Sequence, residues 1–261
     1  MNLFDELVVA LQKMQTWEIA GWLVLENAAI FVLTLLIGNW LVNLFKTRPV
    51  SFPPPANRLE LGLGLSTILL NSFVTILGLL LWQQNLIVLR TVIDGRVLLD
   101  VLVLFFVMDF LMYLLHRVAH LPPFYALLHQ THHRFDKVRP LTLFALNPLE
   151  NLSFGLLWLV VLLVYPASWA GITVYLTLNV LFGLVGHLGV EPLPGSWLKI
   201  PLLNCLTTST FHAQHHRESG FNFGFYTLLW DRLFGTLNPR YLAEFGKLPA
   251  LEQAEETTVT V

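Results

Sequence analysis

Apolar residues in this chain fall in long, nearly unbroken runs, without the alternation of strands or the one-sided stripes of soluble helices. Residues 19–45 form the first run, 59–82 the second and 97–115 the third. Residues 149–165 and 169–188 form two more, parted by Pro166, Ala167 and Ser168, which reads as a tight turn between helices. A bilayer core of about 30 Å takes about 20 such residues in a helix. The pattern predicts an all-α, multi-pass membrane helix bundle of about four to five spans.

The intervening stretches are polar. Residues 1–17 mix Leu and Val with Asp5, Glu6 and Lys13, an amphipathic lead-in without the basic start or small-residue cleavage site of a secretory signal. Glu26 and Asn27, near the start of the first run, are expected at the membrane interface. Residues 46–57 carry Lys46, Arg48 and three consecutive prolines and are expected to form a stiff exposed connector. Residues 83–96 read as a loop or interfacial segment. Residues 116–147 and 202–236 are two polar blocks, the second rich in aromatics, and 191–201 is a Pro/Gly-rich loop. The tail from residue 251 is polar and expected to be loose.

Composition agrees. Hydrophobic residues make up 55% and charged residues 12%, with a mean hydropathy of +0.65. Soluble domains carry about 25% charged residues. The net charge of −2 is uninformative about nucleic acid, but no basic tract appears, so no nucleic-acid partner is expected. The single cysteine, Cys205, excludes an internal disulfide framework and a cysteine-rich metal site. With five spans, every lysine and arginine except Lys13, Arg90 and Arg96 falls on the side of the polar blocks. The positive-inside rule therefore predicts a cytoplasmic, histidine-rich cap.

The chemistry lies in the nine histidines, all between positions 116 and 216. They are His116 and His120; His129, His132 and His133; His187; and His212, His215 and His216. Spacings of three and four share a helix face, so each HxxHH triplet is expected to aim three imidazoles at one small volume. A lone HxxxH is common on surfaces and in cores. Two HxxHH motifs joined to it, with no histidine elsewhere, point to metal. His187 ends an apolar run, where a lone histidine is often a core residue, but that end should return to the cap, so it is expected to be a ligand.

Neutral imidazole binds iron, zinc, copper or nickel. Eight or nine ligands are too many for one ion, so two ions are expected. Paired metals serve hydrolysis or oxygen activation. Hydrolytic zinc sites usually bring a carboxylate, as in HExxH, and none lies between these histidines. A nitrogen-rich pair beside a membrane suits iron that activates dioxygen against a lipid C–H bond. A zinc-dependent membrane hydrolase or isomerase is the alternative. A metal transporter or store would spread its ligands along the spans.

These residues resemble the fatty acid hydroxylase/sterol desaturase superfamily of membrane diiron oxygenases. Asp109, Tyr113, His116, Arg117 and His120 match its D-x-x-x-Y-x-x-H-R-x-x-H motif. His129, His132 and His133 match the second motif. Phe211, His212, His215 and His216 match the third, followed by Asn222-Phe223-Gly224 where the family typically has N-Y-G, and then by residues 230–236, which read WDRLFGT. The likeness covers about residues 97–240, which implies N-terminal spans and linker over 1–96, a catalytic domain over 97–240 and a tail over 241–261. Two departures stand out. Asn147-Pro148-Leu149-Glu150 replaces the family's H-P-x-E, and the second histidine that some relatives have near His187 is missing. A tenth ligand would then be water or an amide, with Asn147 and Asn179 as candidates.

The resemblance implies two irons held by all nine histidines, with zinc as the replacement if iron is lost on purification. Dioxygen then supports hydrogen removal from a lipid drawn from the bilayer, ending in hydroxylation or desaturation. Asp109, Tyr113, Asn147, Glu150, Asn179, Asn222 and Asp231 are candidates for positioning the imidazoles, and Arg117 for a headgroup contact. The chain has no dinucleotide fingerprint, cysteine cluster or spare histidine pair for haem. Electrons are therefore expected from a separate ferredoxin or small haem cytochrome with its reductase. The short chain points to a bacterial inner membrane rather than endoplasmic reticulum.

Overall fold

The computed structural model describes residues 3–248; the polar tail from residue 251 lies outside them. The described chain is helical, with only isolated β-bridges. Its helices are α1 (Leu3–Lys13), α2 (Thr16–Leu44), α3 (Arg58–Gln83), α4 (Arg96–Ala119), α5 (Pro122–Phe124), α6 (Pro148–Val164), α7 (Trp169–Gly186), α8 (Ser209–Arg217), α9 (Leu229–Leu233) and α10 (Tyr241–Glu244). Helices α2, α3, α4 and α7 are long and apolar enough to cross a membrane. Helix α6 is equally apolar but has 17 residues, a length of about 26 Å.

Local sequence sets the starts. The Asn57 side chain accepts from Glu60 N at 2.9 Å to cap α3, and Asn147 accepts from Leu149 N at 2.9 Å to cap α6 ahead of Pro148. Ser168 caps α7 by accepting from Gly171 N, and Thr208 caps α8 by accepting from Phe211 N.

The apolar helices pack in the order α2–α3–α6–α4–α7, and α7 returns to α2. Their outward faces are not covered: Trp22, Leu36, Leu69 and Leu98 are between 62% and 67% exposed. Water would penalise so much bare apolar surface, and lipid would not. At one end of this ring Asp100, at the start of α4, accepts from Arg90 Nη2 at 2.6 Å, Tyr165 OH at 2.9 Å and Ser168 N at 2.9 Å. That cluster pins the α6–α7 turn. His116 lies sixteen residues further along α4, about 24 Å away at the other end.

Two expectations change at the histidine end. Residues 46–57 are not simply an exposed connector. Val50 and Ser51 are buried, Val50 N donates to Gly189 O at 2.9 Å, and Ser51 Oγ donates to Val138 O at 3.0 Å. Backbone pairing with residues 189–191 outweighs the exposure that the prolines favour. Gly189 makes this possible, with φ +72° and a Cβ position only 2.7 Å from Val138 O.

The second polar block does not stay at the rim. Residues 223–228 run down between α4 and α7. There Tyr226 stacks on Phe105 of α4 at 4.8 Å between ring centroids, and its hydroxyl lies 2.8 Å from Tyr175 OH of α7. Tyr175 is twelve residues before His187, so the tip lies about 18 Å along α7 from that histidine. Asp109 makes this descent tolerable. Its carboxylate accepts from Tyr226 N, Thr227 N, Thr227 Oγ1 and Trp230 Nε1 at 2.9, 3.1, 2.5 and 2.9 Å. Irregular backbone at membrane depth needs such partners.

Candidate metal centre

The nine imidazoles come from five places. His116 lies in the last turn of α4 and His120 at its C-terminal cap. His129 ends a π-helical turn (Tyr125–His129), and His132 and His133 open a 3-10 turn (His132–Arg134). His187 caps α7, and His212, His215 and His216 lie on α8. They form two groups. His116, His120, His129, His133 and His215 make one; His132, His187, His212 and His216 make the other. Within each group the ligand atoms lie within 4.8 Å of one another, so either group could hold a metal ion.

This corrects the reading of the triplets, because neither aims at one volume. The 129–133 triplet follows a π turn and then a 3-10 turn, not one α-helix, and sends His132 to the second group. Helix α8 is regular, yet it sends His215 to the first group and His212 and His216 to the second. The groups abut: the His133 ring stacks on His216 with centroids 4.8 Å apart.

Backbone tethers fix several rings. Facing each of these Nδ1 atoms is an acceptor: Phe223 O at 2.8 Å for His116, Phe221 O at 2.7 Å for His215, Gly183 O at 2.8 Å for His187 and Ala145 O at 3.3 Å for His132. His129 Nδ1 lies 2.5 Å from Glu150 Oε1. A nitrogen facing an acceptor must carry the proton, which leaves Nε2 as a bare lone pair. Those lone pairs face each other. His116 Nε2 and His129 Nε2 are 3.0 Å apart. Two lone pairs at that distance repel, and a cation between them removes the repulsion. Glu150 Oε2 is buried without a partner, so the carboxylate also favours positive charge nearby. The residues therefore fit a metal.

Burial favours the neutral, ligating form of the rings. It pushes His120 down to about 2 and His133 to about 3, with neighbouring imidazoles adding to both, and His187 to about 4. His129, His132, His212, His215 and His216 are likewise held well below the usual histidine range, first by burial and then by their neighbours.

The residues expected to position the imidazoles divide. Glu150 touches a histidine directly. Asp231 acts one step removed, accepting from Phe223 N at 2.8 Å and Gly224 N at 2.7 Å, and so holds the peptide whose carbonyl faces His116. Gly224 has no room for a side chain there, since a Cβ would sit 2.8 Å from Asp231 Oδ2. Tyr113 reaches this network through Thr236 Oγ1 at 3.0 Å, and Arg117 donates to Tyr113 OH at 3.2 Å. Asn222, with φ +62°, donates to Phe211 O and accepts from Asn238 N. Asp109, Asn147 and Asn179 reach no imidazole. Asp109 holds the descending loop, Asn147 caps α6, and Asn179 Oδ1 accepts from Tyr226 OH at 2.7 Å.

Glu191 went unnoticed in the sequence. It is fully buried and accepts from Thr210 N at 2.9 Å and Thr210 Oγ1 at 2.6 Å, which fixes the start of α8. A single acid in a Pro/Gly-rich loop gives no periodic signal.

A family model described as fatty acid hydroxylase matches residues 101–236, just over half of the chain. The chain belongs to this family. Among curated members, a Delta(7)-sterol 5(6)-desaturase of Aspergillus fumigatus is 28% identical over 148 residues, 56% of this chain and 40% of that protein. A Delta(7)-sterol 5(6)-desaturase of Eremothecium gossypii is 31% identical over 146 residues, 55% of this chain and 39% of that protein. A very-long-chain aldehyde decarbonylase of Oryza sativa is 33% identical over 135 residues, 49% of this chain and 22% of that protein. The chain thus aligns with about two-fifths of the length of the sterol desaturases it matches. No solved structure matches it. The family match covers all nine histidines, the descending loop and Asp109.

Proposed function

We propose that this fatty acid hydroxylase family member is a non-haem diiron oxygenase that hydroxylates or desaturates a C–H bond of a bilayer lipid. The observation that carries the reading is the pair of abutting groups, five and four imidazoles, with their lone pairs turned inward. Five and four nitrogens leave room for further ligands on octahedral ions, as oxygen chemistry requires. Two irons held there would supply the reductive activation of dioxygen.

The chain's own residues do the rest. The carbonyls of Phe223, Phe221, Gly183 and Ala145 hold ring orientation, and Glu150 raises the basicity of His129 through its Nδ1 proton. Burial keeps water from the rings and keeps them neutral. The bare apolar faces of the spans admit lipid, and electrons come from a separate ferredoxin or haem cytochrome. The excess of lysine and arginine at the histidine end supports a cytoplasmic site, and residues 97–240 form the catalytic unit.

The test is elemental analysis of anaerobically purified protein, joined to a lipid turnover assay. About two irons per chain, with turnover that needs dioxygen and a reductant, is the expected result. Zinc alone after iron-supplemented expression, with turnover that needs neither, would replace this reading with the zinc hydrolase or isomerase.

A further inference from the structure

Helix α8 carries His212, His215 and His216 on one face, within an arc of about 100° at 3.6 residues per turn. Thr210, Gln214 and Arg217 lie on the opposite face, within an arc of about 60°. All three meet one short segment near the end of the described chain. Gly246 N donates to Thr210 Oγ1 at 2.9 Å, Gln214 Nε2 donates to Glu244 Oε2 at 2.7 Å, and Arg217 Nη2 lies 3.6 Å from the same carboxylate oxygen. Tyr241 adds a hold at the start of the helix. Its ring meets Phe211 edge-on, and its hydroxyl lies 3.2 Å from Oγ1 of Thr208, the α8 cap.

Gln214 and Tyr241 are fully buried. The Gln214 amide is held at both ends, since its Oε1 accepts from Asn222 Nδ2 at 3.3 Å. Arg240 Nε lies 3.3 Å from Glu244 Oε1, so both oxygens of that carboxylate are engaged. A rotation of α8 about its axis would break the bonds on its outer face and swing the histidines on its inner face out of their two groups. The segment lies beyond the family match, which stops at residue 236, and the sequence alone places it in the tail.

We propose that residues 241–246 are a latch that sets the rotation of α8 for metal binding, with Glu244 as its positioning residue. Glu244 touches no imidazole and acts through Gln214 and Arg217. The latch supplies part of the ordering of α8, and bound metal supplies the rest. The proposal rests on the metal centre of the oxygenase reading, and not on its iron, dioxygen or lipid.

Cobalt(II) titration of the detergent-purified, metal-stripped full chain tests it, in competition with a chelator. Visible absorption follows the titration and reports coordination geometry as well as affinity. Glu244→Ala removes the acceptor and is expected to bind cobalt about tenfold more weakly, with an altered visible spectrum. Glu244→Gln keeps an amide oxygen for Gln214 and is expected to restore both affinity and spectrum. A merely structural loss would lower stability without this change of spectrum and its rescue. Where Glu244→Ala fails to insert, Glu244→Leu, which fills the space and offers no acceptor, takes its place. Wild-type affinity and spectrum in the Ala or Leu variant, or equal weakening in the Gln variant, overturns the proposal. Cobalt binding that depends on Glu244, in a protein whose lipid turnover needs no dioxygen, sinks the oxygenase reading alone. Active diiron protein whose Glu244→Ala form keeps wild-type affinity and spectrum sinks the latch alone.

Discussion

Among the described residues Glu150 is the one acid that touches an imidazole, and its effect should be measurable apart from the fold. Removing a carboxylate that orients a metal-bound histidine costs about 10- to 100-fold in metal affinity. Glu150→Ala should lower metal content by that order in competition with a chelator, with membrane insertion intact; unchanged retention would reduce Glu150 to a packing residue. His132→Ala and His215→Ala remove one imidazole from each group and should abolish turnover and lower metal content in inserted protein. All nine histidines were legible because imidazole is rare and its spacing is regular. Their tethers were not. Phe223, Phe221, Ala145 and Gly183 act through backbone carbonyls, which every residue has, so no side chain announces them.

The descending loop at residues 223–228 gives Asp109 its purpose. Replacing Asp109 with Ala would leave four donors without an acceptor, at a cost of at least about 3 kcal/mol. The expected readout is a large fall in thermal midpoint in detergent, with Asp109→Asn falling less because it keeps one acceptor. Equal midpoints for wild type and both variants would contradict this account. The sequence offered Asp109 as a candidate for positioning the imidazoles, and so pointed to the metal and not to the loop. The loop itself reads FGFYTL and has neither helical nor strand periodicity, so its depth follows only from packing against α4 and α7. The apolar runs, in contrast, predicted α2, α3, α4 and α7 within a few residues, since lipid leaves helices no other pattern.

Asp94 and Asp136 are exposed and lie at opposite ends of the bundle, one near the Arg90–Asp100 cluster and the other between His133 and Val138. In a Cys205→Ser background, Asp136→Cys should react with an impermeant maleimide only in inverted membranes, and Asp94→Cys only in intact cells or right-side-out vesicles. The opposite pattern would reverse the proposed orientation. Composition made the membrane class plain, and basic-residue placement made the orientation an expectation. The order of helices around the ring was not legible, because every apolar face resembles every other until they pack.

Helix α8 lends His212 and His216 to one group and His215, between them in sequence, to the other. Two consecutive histidines on one turn would thus serve different ions if each group is loaded. The first ion to load would fix the rotation of that turn and supply the ordering that a second would otherwise need. Loading should therefore be positively cooperative by linkage. In a titration of apo-protein followed by native mass spectrometry, chains with one metal should stay scarcer than independent binding allows. A purely statistical distribution of none, one and two would mean that the shared turn is already rigid before metal arrives.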